Sequence, residues 1–230
     1  AGTWAEKVVI DAHNLHRIPE GVSFEAAALT EPAAVCYQSF RRAGLCEGHA
    51  VLVIGDGPFG FLHSQIAVAL GAGTVICAGH HDERLRRIQE RTGVLICNTR
   101  RDDLGEAVAR SVEPPGGDVV VEATGSGSAP SLGLAALKPR GTLVVFSYIW
   151  KPQVLDMGSI HMKEINVLGS CRSRGTFEPC LELLAEGKID TEALVDLEVP
   201  LVDYEKAMMR LREEKRDTFK VVFTPSGHVH

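Results

Sequence analysis

Short apolar runs alternate with helix-like patterns through the middle of this chain. Residues 51–54 are continuously apolar, which is typical of a strand buried on both faces, and the next apolar residues follow at helical spacing up to position 70. Further runs of strand length occur at 75–77, 94–97, 119–121, 143–146 and 165–168. Because strands that alternate with helices form parallel crossovers, the pattern predicts an α/β fold with a six-stranded, doubly wound parallel sheet.

The two ends of the chain do not follow this alternation. Residues 4–10 have the pattern of a strand, Ser23 is a candidate helix N-cap, and residues 33–47 have a helical pattern. After Gly169 two helical patterns follow, around 177–184 and 204–211, and residues 220–223 indicate a closing strand. We expect these ends to pack together as a second, smaller lobe beside the sheet.

Composition and charge narrow the class of protein. The 230-residue chain is 45% hydrophobic with a formal charge of −6, so it is long enough to bury a core and lacks the basic face that nucleic-acid binding needs. Its six cysteines form no C-x-x-C pair, which favours free thiols in a reducing compartment. Glycines and a proline interrupt the apolar stretch 50–79, so we expect no membrane span. These observations predict a cytoplasmic protein.

A G-x-G-x-x-G turn, formed by Gly55, Gly57 and Gly60, lies between the first apolar run and the helix that follows it. The first glycine permits a tight turn, the second lets the backbone approach a pyrophosphate, and the third lets the helix pack on the strand. The N–H groups of the helix N-terminus complete the anion site. This context predicts a dinucleotide-binding Rossmann unit. Asp56 lies within the turn, and its carboxylate has to point away from the pyrophosphate.

The end of the second predicted strand bears on which dinucleotide is bound. A site for NAD usually has a carboxylate there, whereas this chain has Gly79, followed by His80, His81 and Arg84. Without that carboxylate a 2′-phosphate is not repelled, and an arginine with two imidazoles can bind it. We therefore favour NADP(H). The alternative is that the carboxylates at 82 and 83 reach the ribose and that the cofactor is NAD.

Eight short motifs are spread along nearly the whole chain. They are G-T-W-A-E at 2–6, L-H-R-I-P-E-G-V-S at 15–23, A-A-A-L-T-E-P-A-A-V at 26–35, the glycine turn at 55–60, V-E-A-T-G at 121–125, K-P-R-G-T at 138–142, G-K-I-D at 187–190 and K-V-V-F-T-P at 220–225. In their order and spacing these motifs resemble the medium-chain dehydrogenase/reductase family, in particular its zinc-dependent polyol and threonine dehydrogenase branch.

The resemblance implies a function and a set of site residues. It implies an oxidoreductase that transfers a hydride between NADP or NAD and a secondary alcohol, polyol or hydroxy-amino acid, with a zinc ion that polarises the alcohol oxygen. Glu31, in the E-P motif, would lie at that zinc. The residues implied to line the cofactor include Pro58 and Phe59 of the turn, Ala123, Thr124 and Gly125 after the fourth strand, and Phe146, Ser147 and Tyr148 after the fifth.

The resemblance also implies a domain organisation and an assembly. Residues 1–32 would be the tail end of a catalytic domain, 33–175 the dinucleotide-binding domain, and 176–230 a segment that returns to the catalytic domain. The family commonly forms homodimers or homotetramers.

One departure from the family pattern limits what this chain is expected to do. The family's other zinc ligands, a cysteine and a histidine–glutamate pair, belong to an N-terminal half that has no counterpart in this sequence, and one carboxylate cannot make a three-ligand site. We therefore expect a fragment, or the ordered part of a longer protein, that is inactive by itself. A catalytically silent dinucleotide-binding module is the alternative, and a methyltransferase with a similar turn is a more distant one.

Several other polar residues are weaker candidates for a site. His13, His16, His228 and His230 lie in polar flanks and are expected at the surface, and Cys36 is expected to be a buried thiol rather than a neighbour of Glu31. His161 and Lys163 belong either to a solvated loop or to a subunit edge. Arg172 and Ser173 are candidates to reach the cofactor from the far side of the sheet.

Overall fold

A six-stranded parallel sheet forms the centre of the fold in the computed structural model, which describes residues 4, 5, 7–213 and 218–225. The strands are β1 (Ala50–Ile54), β2 (Thr74–Gly79), β3 (Leu95–Asn98), β4 (Gly117–Glu122), β5 (Leu137–Val145) and β6 (Asn166–Gly169). Their order across the sheet is β3-β2-β1-β4-β5-β6, and all five pairings are parallel. The predicted doubly wound α/β sheet is confirmed, and the strand order reverses between β1 and β4, where such folds bind ligands.

Nine α-helices accompany the strands in the described part of the chain. They are α1 (Phe24–Ala27), α2 (Thr30–Ala43), α3 (Pro58–Ala69), α4 (Asp82–Thr92), α5 (Leu104–Ser111), α6 (Ala129–Ala135), α7 (Met157–Met162), α8 (Phe177–Ala185) and α9 (Tyr204–Glu213). Ser23 caps α1 as predicted, its hydroxyl accepting from the N–H of Ala26 at 3.1 Å. Helix α2 ends at Gly44, which has the left-handed conformation that glycine adopts without strain.

The two faces of the sheet bury separate hydrophobic clusters. Val51 and Val53 of β1 face a cluster formed with α2, α3, α4 and α8, whereas Leu52 and Ile54 face a second cluster formed with α5 and α6. This division follows from the strand period of two, because successive side chains point to opposite faces. All five residues of β1 are buried, which explains why the strand is apolar without alternation.

The ends of the chain differ from the prediction in two places. Trp4, Ala5 and residues 7–10 form no strand, and Val9 is fully exposed. A strand needs a partner for its backbone groups, and no strand among the described residues pairs with this segment. Residue 6 lies outside the described residues. The closing strand β8 (Lys220–Thr224) is confirmed, but its parallel partner β7 (Val195–Pro200) was not predicted.

The weaker candidate residues are mostly accounted for by local contacts. The side chain of His13 pairs with Asp11, and His16 stacks on Phe177 with its Nδ1 2.7 Å from Glu178 Oε1. His228 and His230 lie outside the described residues. Lys163 donates to the carbonyl oxygen of Leu137 at 3.1 Å, and His161 is exposed on α7.

All six cysteines are free thiols, as predicted, although only four are buried, since Cys46 and Cys171 are exposed. Burial raises the pKa of the Cys36 thiol well above its ordinary value, so Cys36 is the buried thiol that was expected. No helix within the described residues has the length and apolar character needed to cross a bilayer.

Candidate functional site

The glycine turn joins β1 to α3 and has the geometry of a phosphate cradle. Gly55 has φ of +136°, which L side chains rarely adopt, and its N–H donates to the carbonyl oxygen of Ala78 at 2.7 Å. A Cβ on residue 60 would lie 2.7 Å from the carbonyl carbon of Gly55, so only glycine lets α3 approach the strand this closely. A Cβ on residue 57 would meet nothing within 4 Å. The space beside Gly57 is therefore open to a ligand.

A cleft of about 330 Å³ opens beside this turn, at the point where the strand order reverses. Eight of the predicted cofactor residues line it, namely Gly55, Gly57, Gly79, His80, His81, Arg84, Ala123 and Thr124. Asp56, Thr99, Ser126 and Ser128 were not among the predicted residues and also line it. Pro58 is the first residue of α3, and Phe59 and Gly60 follow it in the first turn of that helix.

Asp56 points to the loop between β2 and α4. Its Oδ2 accepts hydrogen bonds from the backbone N–H groups of His80 and His81, both at 2.7 Å, and Nδ1 of His81 lies 3.1 Å from each carboxylate oxygen. Burial by itself would raise the pKa of Asp56, but these hydrogen bonds and the imidazole lower it below its ordinary value of 3.8. The carboxylate is therefore ionised near neutral pH and turned towards its own donors.

The loop after β4 is organised by a fully buried carboxylate that sequence reasoning did not single out. Oε1 of Glu122 accepts from the N–H groups of Thr124 and Gly125, at 2.6 and 2.8 Å, and from the Thr124 hydroxyl at 2.8 Å. Its other oxygen accepts from the N–H of Ser147 at 3.3 Å. Glu122 thus holds together the loops after β4 and β5, whose residues are implied by the family resemblance to line the cofactor.

A second cleft, of about 390 Å³, lies at the carboxyl ends of β5 and β6. Its lining consists of Gln38, Arg42, Val145, Phe146, Ser147, Tyr148, Gly169, Ser170, Cys171, Arg172 and Arg174. Oε1 of Gln38 and Oγ of Ser170 are buried and have no hydrogen-bond partner within the described part of the chain. Since buried polar atoms are nearly always hydrogen-bonded, these two mark a place where a polar ligand fits. Arg172 lines this cleft, whereas Ser173 does not.

Phe146 is held in place by two aromatic neighbours. Its ring centroid lies 5.0 Å from that of Phe59 in the glycine turn and 4.6 Å from that of His63 on α3, the latter in an edge-to-face arrangement. His63 is completely buried, and burial lowers its pKa to about 4, so the ring is neutral. These contacts fix Phe146 between the turn and the second cleft.

Lys220 brings a cation to the glycine turn from the far end of the chain. Its Nζ lies 5.1 Å from the centroid of the Phe59 ring. Burial lowers the pKa of Lys220, while its electrostatic interactions with Cys36 and Glu31 oppose part of that effect. Lys220 is 161 residues away from Phe59 in the sequence, so no local pattern indicated this contact.

Glu31 lies exposed in the first turn of α2. Among residues 4, 5, 7–213 and 218–225, three metal-ligating side chains come within 4.8 Å of one another only at Asp56, His80 and His81, a group that does not include Glu31. A catalytic zinc needs about three protein ligands, so the described residues around Glu31 do not fit a complete zinc site. We assign no catalytic step through zinc to this chain.

Comparisons with known proteins identify the family. The profile described as zinc-binding dehydrogenase matches residues 58–186. Sorbitol dehydrogenase from Halalkalibacterium halodurans is 31% identical over 228 residues, which cover 97% of this chain and 66% of that protein.

Two solved structures agree with this match. A short chain alcohol dehydrogenase from E. coli, crystallised with NADH, has a TM-score of 0.86 at 24% identity over 94% of this chain and 64% of its own; it supports the fold alone. A protein from Sinorhizobium meliloti 1021 described as a zinc-binding dehydrogenase and bound to NADP has a TM-score of 0.77 at 25% identity, over 83% of this chain and 57% of its own. The chain spans less than two thirds of the length of these relatives. It belongs to the zinc-binding dehydrogenase family.

Proposed function

We propose that this chain is the dinucleotide-binding part of an oxidoreductase that transfers a hydride between NADP(H) or NAD(H) and a secondary alcohol, polyol or hydroxy-amino acid. The observation that carries the proposal is the glycine turn, which lies where the strand order of the sheet reverses. A Cβ at residue 60 would clash with the backbone of Gly55, whereas the space beside Gly57 is open. The nicotinamide dinucleotide supplies the hydride acceptor or donor when it is bound. Names such as sorbitol dehydrogenase among the relatives support a polyol as substrate.

The chain's own residues are suited to both ends of the cofactor. The first cleft presents the turn and the α3 N-terminus to the pyrophosphate, and it presents His80, His81 and Arg84 to the adenosine side. In the second cleft, Oε1 of Gln38 can accept a hydrogen bond from a carboxamide, and the hydroxyl of Ser170 can donate one. The nicotinamide carries such a carboxamide, and we propose that the nicotinamide ring lies beside Phe146.

We favour NADP(H) over NAD(H) because of the residues that line the first cleft where the adenosine part of the cofactor would bind. Gly79 supplies no carboxylate there, and the Asp56 carboxylate in the same cleft accepts from the N–H groups of His80 and His81. The two imidazoles and the guanidinium that line the cleft complement a 2′-phosphate. The test is a calorimetric titration of the full-length protein with NADP+ and with NAD+. We expect the tighter binding for NADP+, and tenfold tighter binding of NAD+ would refute the preference.

Gly57 offers a substitution that separates cofactor binding from folding. Because its backbone conformation is an ordinary one and a Cβ there meets nothing within 4 Å, Gly57→Val should leave the unfolding midpoint unchanged. The valine methyls would occupy the space beside the turn, so dinucleotide affinity should fall more than tenfold. Unaltered affinity would show that the backbone at residue 57 does not approach the cofactor.

A zinc ion in the full-length protein would be bound in part by Glu31. We expect Glu31→Ala to lower the zinc content or kcat while dinucleotide affinity is largely kept. Unchanged zinc content and turnover would exclude Glu31 from the metal site.

The second candidate function is a catalytically silent dinucleotide-binding module. This function needs only the dinucleotide cleft beside the glycine turn, and it needs no metal ligand. A full-length protein that binds dinucleotide but contains no zinc and oxidises no polyol would support it over the enzyme.

Assembly into homodimers or homotetramers is part of the proposal. The segment leading to the edge strand β6 exposes several large apolar side chains, namely Tyr148, Trp150, Val154, Met157 and Met162. Exposed apolar patches of this kind, beside a strand edge, are typical of subunit contacts. Trp150→Glu should shift the full-length protein to a smaller mass in light scattering, and an unchanged mass would argue against this surface.

A further inference from the structure

The side chain of Glu122 lies between the two clefts and contacts one wall of each. Glu122 is the last residue of β4 and is completely buried. Ala123 and Thr124, which follow it, line the first cleft, whereas Phe146 and Ser147 after β5 line the second. A carboxylate loses its hydration when it is buried, so hydrogen-bond donors have to replace the water. Here those donors come from the loops after both strands.

The two carboxylate oxygens of Glu122 serve different loops. Three donors of the loop after β4 converge on Oε1, namely the N–H groups of Thr124 and Gly125 and the Thr124 hydroxyl. That hydroxyl accepts in turn from the N–H of Ser126 at 2.9 Å. The loop after β5 contributes the N–H of Ser147, which donates to Oε2. Each oxygen therefore has its own side of the site.

The main chain of Glu122 holds the same two residues after β5. Its carbonyl oxygen accepts from the N–H of Phe146 at 3.2 Å and from the N–H of Ser147 at 3.3 Å. The N–H of Ser147 is thus shared between this carbonyl oxygen and Oε2, which also lies 3.3 Å away. One buried residue therefore fixes the backbone at the start of the loop after β5.

The position of this backbone matters because of the Phe146 ring. The ring packs against Phe59 and His63, so its backbone and its side chain are both constrained. Phe146 forms the wall beside which we place the nicotinamide ring. Hydride transfer depends on the distance and direction between the reacting atoms, and a misplacement of about 1 Å can cost roughly 100-fold in rate. A residue that fixes this wall therefore bears on the reaction without touching the cofactor.

We propose that Glu122 is a positioning residue for the nicotinamide: its carboxylate holds the loop after β5 against the loop after β4 and so sets where the ring lies relative to the adenosine half. The inference rests on the proposed function, because it requires a dinucleotide that extends from the first cleft to the second. Glu122 has no exposed surface, so its effect on the cofactor passes through Phe146 and Ser147.

Glu122→Gln gives a sharp variant because the two oxygens have different partners. The amide oxygen has to take the place of Oε1, which accepts from three donors. The amide nitrogen then takes the place of Oε2 and faces the N–H of Ser147, and two donors cannot bond to each other. The variant therefore keeps the loop after β4 in place and releases the loop after β5.

The experiment compares a dinucleotide with the same molecule lacking nicotinamide, on the full-length protein. The dinucleotide is NADPH or NADH, whichever binds more tightly, and its matching fragment is 2′-phospho-ADP-ribose or ADP-ribose. Calorimetry gives both dissociation constants, and fluorescence gives the emission of the bound dihydronicotinamide. In the wild type this emission should differ from that in water, because the ring lies in a cleft.

In Glu122→Gln we expect the fragment to bind within about twofold of the wild type. The dinucleotide should bind about tenfold more weakly, the size of one lost hydrogen bond, and the emission of the bound ring should return towards that in water. Glu106→Gln is the matched control, since it removes an equal charge from an exposed position on α5. It should behave as the wild type.

Thr124→Val perturbs the other side of the carboxylate. It removes the hydroxyl that donates to Oε1 and accepts from Ser126, both within the loop that lines the first cleft. We expect the dinucleotide and the fragment to weaken by the same factor. Loss of dinucleotide affinity alone would contradict the assignment of Oε1 to the adenosine side.

Hydrogen exchange on the wild type tests the inference without any substitution. The dinucleotide should slow the exchange of the amides of residues 146–148 more than the fragment does, and equal protection by both ligands would overturn the inference. It is also wrong if Glu122→Gln weakens dinucleotide and fragment equally, because that indicates a purely structural role. Unchanged dinucleotide affinity and emission in this variant would overturn it as well.

Two outcomes for the wild type separate this inference from the proposed function. A bound dinucleotide whose emission equals that in water leaves a dinucleotide site and overturns only the role of Glu122. Failure to bind either the dinucleotide or the fragment overturns the proposed function and the inference together.

Discussion

His63 should make the stability of the protein depend on pH in the mildly acidic range. The ring is completely buried on α3, edge-on to Phe40 and Phe146 with centroids 5.5 and 4.6 Å away. Its Nδ1 donates to the carbonyl oxygen of Phe59 at 2.7 Å, so in the neutral ring Nε2 is the acceptor that faces the Ser39 hydroxyl at 3.3 Å. A second proton on this ring would place a positive charge in the interior, where the loss of hydration disfavours it.

The size of the effect follows from the pKa. Burial lowers the pKa of His63 from 6.5 to about 4, a difference of 6.5 − 4 = 2.5. Each pKa unit corresponds to about 1.36 kcal/mol. Once the pH is below 4, protonation of His63 in the unfolded chain therefore lowers the free energy of unfolding by about 3 kcal/mol. Because the folded pKa is the lower one, the unfolded state binds the proton first. The free energy of unfolding therefore falls as the pH drops from about 6.5 to about 4, and the effect is absent above 7.

The assay is urea unfolding of the full-length protein and of its His63→Gln variant at several pH values from 7.5 to 4.5. Glutamine keeps a donor and an acceptor but does not titrate, and the other histidines are common to both proteins. The wild type should lose about 1.4 kcal/mol more than the variant for each pH unit below 6, and the two slopes should agree above pH 7. Equal slopes throughout would refute the assignment of a depressed pKa to His63.

Three further substitutions follow from the same structure. Gly60→Ala forces a Cβ against the backbone of Gly55, so the unfolding midpoint should drop and added dinucleotide should no longer raise it; a normal ligand-induced rise in differential scanning fluorimetry would contradict the packing argument. Leu143→Ala empties a fully buried site in β5 and should cost about 3 kcal/mol in urea unfolding, whereas a loss below 1 kcal/mol would mean that the core closes around the cavity. Lys220→Gln removes the cation over the Phe59 ring and should cost about 1 kcal/mol in urea unfolding, the size expected for a cation–π contact; an unchanged free energy of unfolding would mean that this contact does not stabilise the fold.

The sheet was predictable from the sequence because its signal is local. Each of the six strands is a short apolar run, and the turn that marks the site lies within six consecutive residues after β1. β7 was missed although residues 195–199 alternate between apolar and acidic side chains, which is the local pattern of a half-buried strand. Trp4, Ala5 and residues 7–10 were wrongly assigned as a strand, since their pattern suits a strand but none of the described residues pairs with them.

The parts of the site that depend on distant contacts were not predictable in the same way. Lys220 contacts the Phe59 ring from 161 residues further along the chain, and the Glu122 side chain accepts hydrogen bonds from the loops after both β4 and β5. For Asp56, the sequence predicted only that the carboxylate points away from the pyrophosphate, and it did not predict which groups the carboxylate would contact. The glycine at the end of β2, found with an aspartate in the turn, was the available signal that the two positions are coupled.

The steric coupling between Asp56 and Gly79 also constrains how this protein can evolve. A Cβ at residue 79 would lie 2.5 Å from Cγ of Asp56, so any side chain gained there while Asp56 is present forces one of the two residues to shift. A lineage that moves its acidic residue to the end of β2 has to shorten residue 56 first, and it passes through an intermediate in which neither position anchors the loop. Sequences that carry both an aspartate in the turn and a side chain at the strand end should therefore be rare among the descendants of this chain.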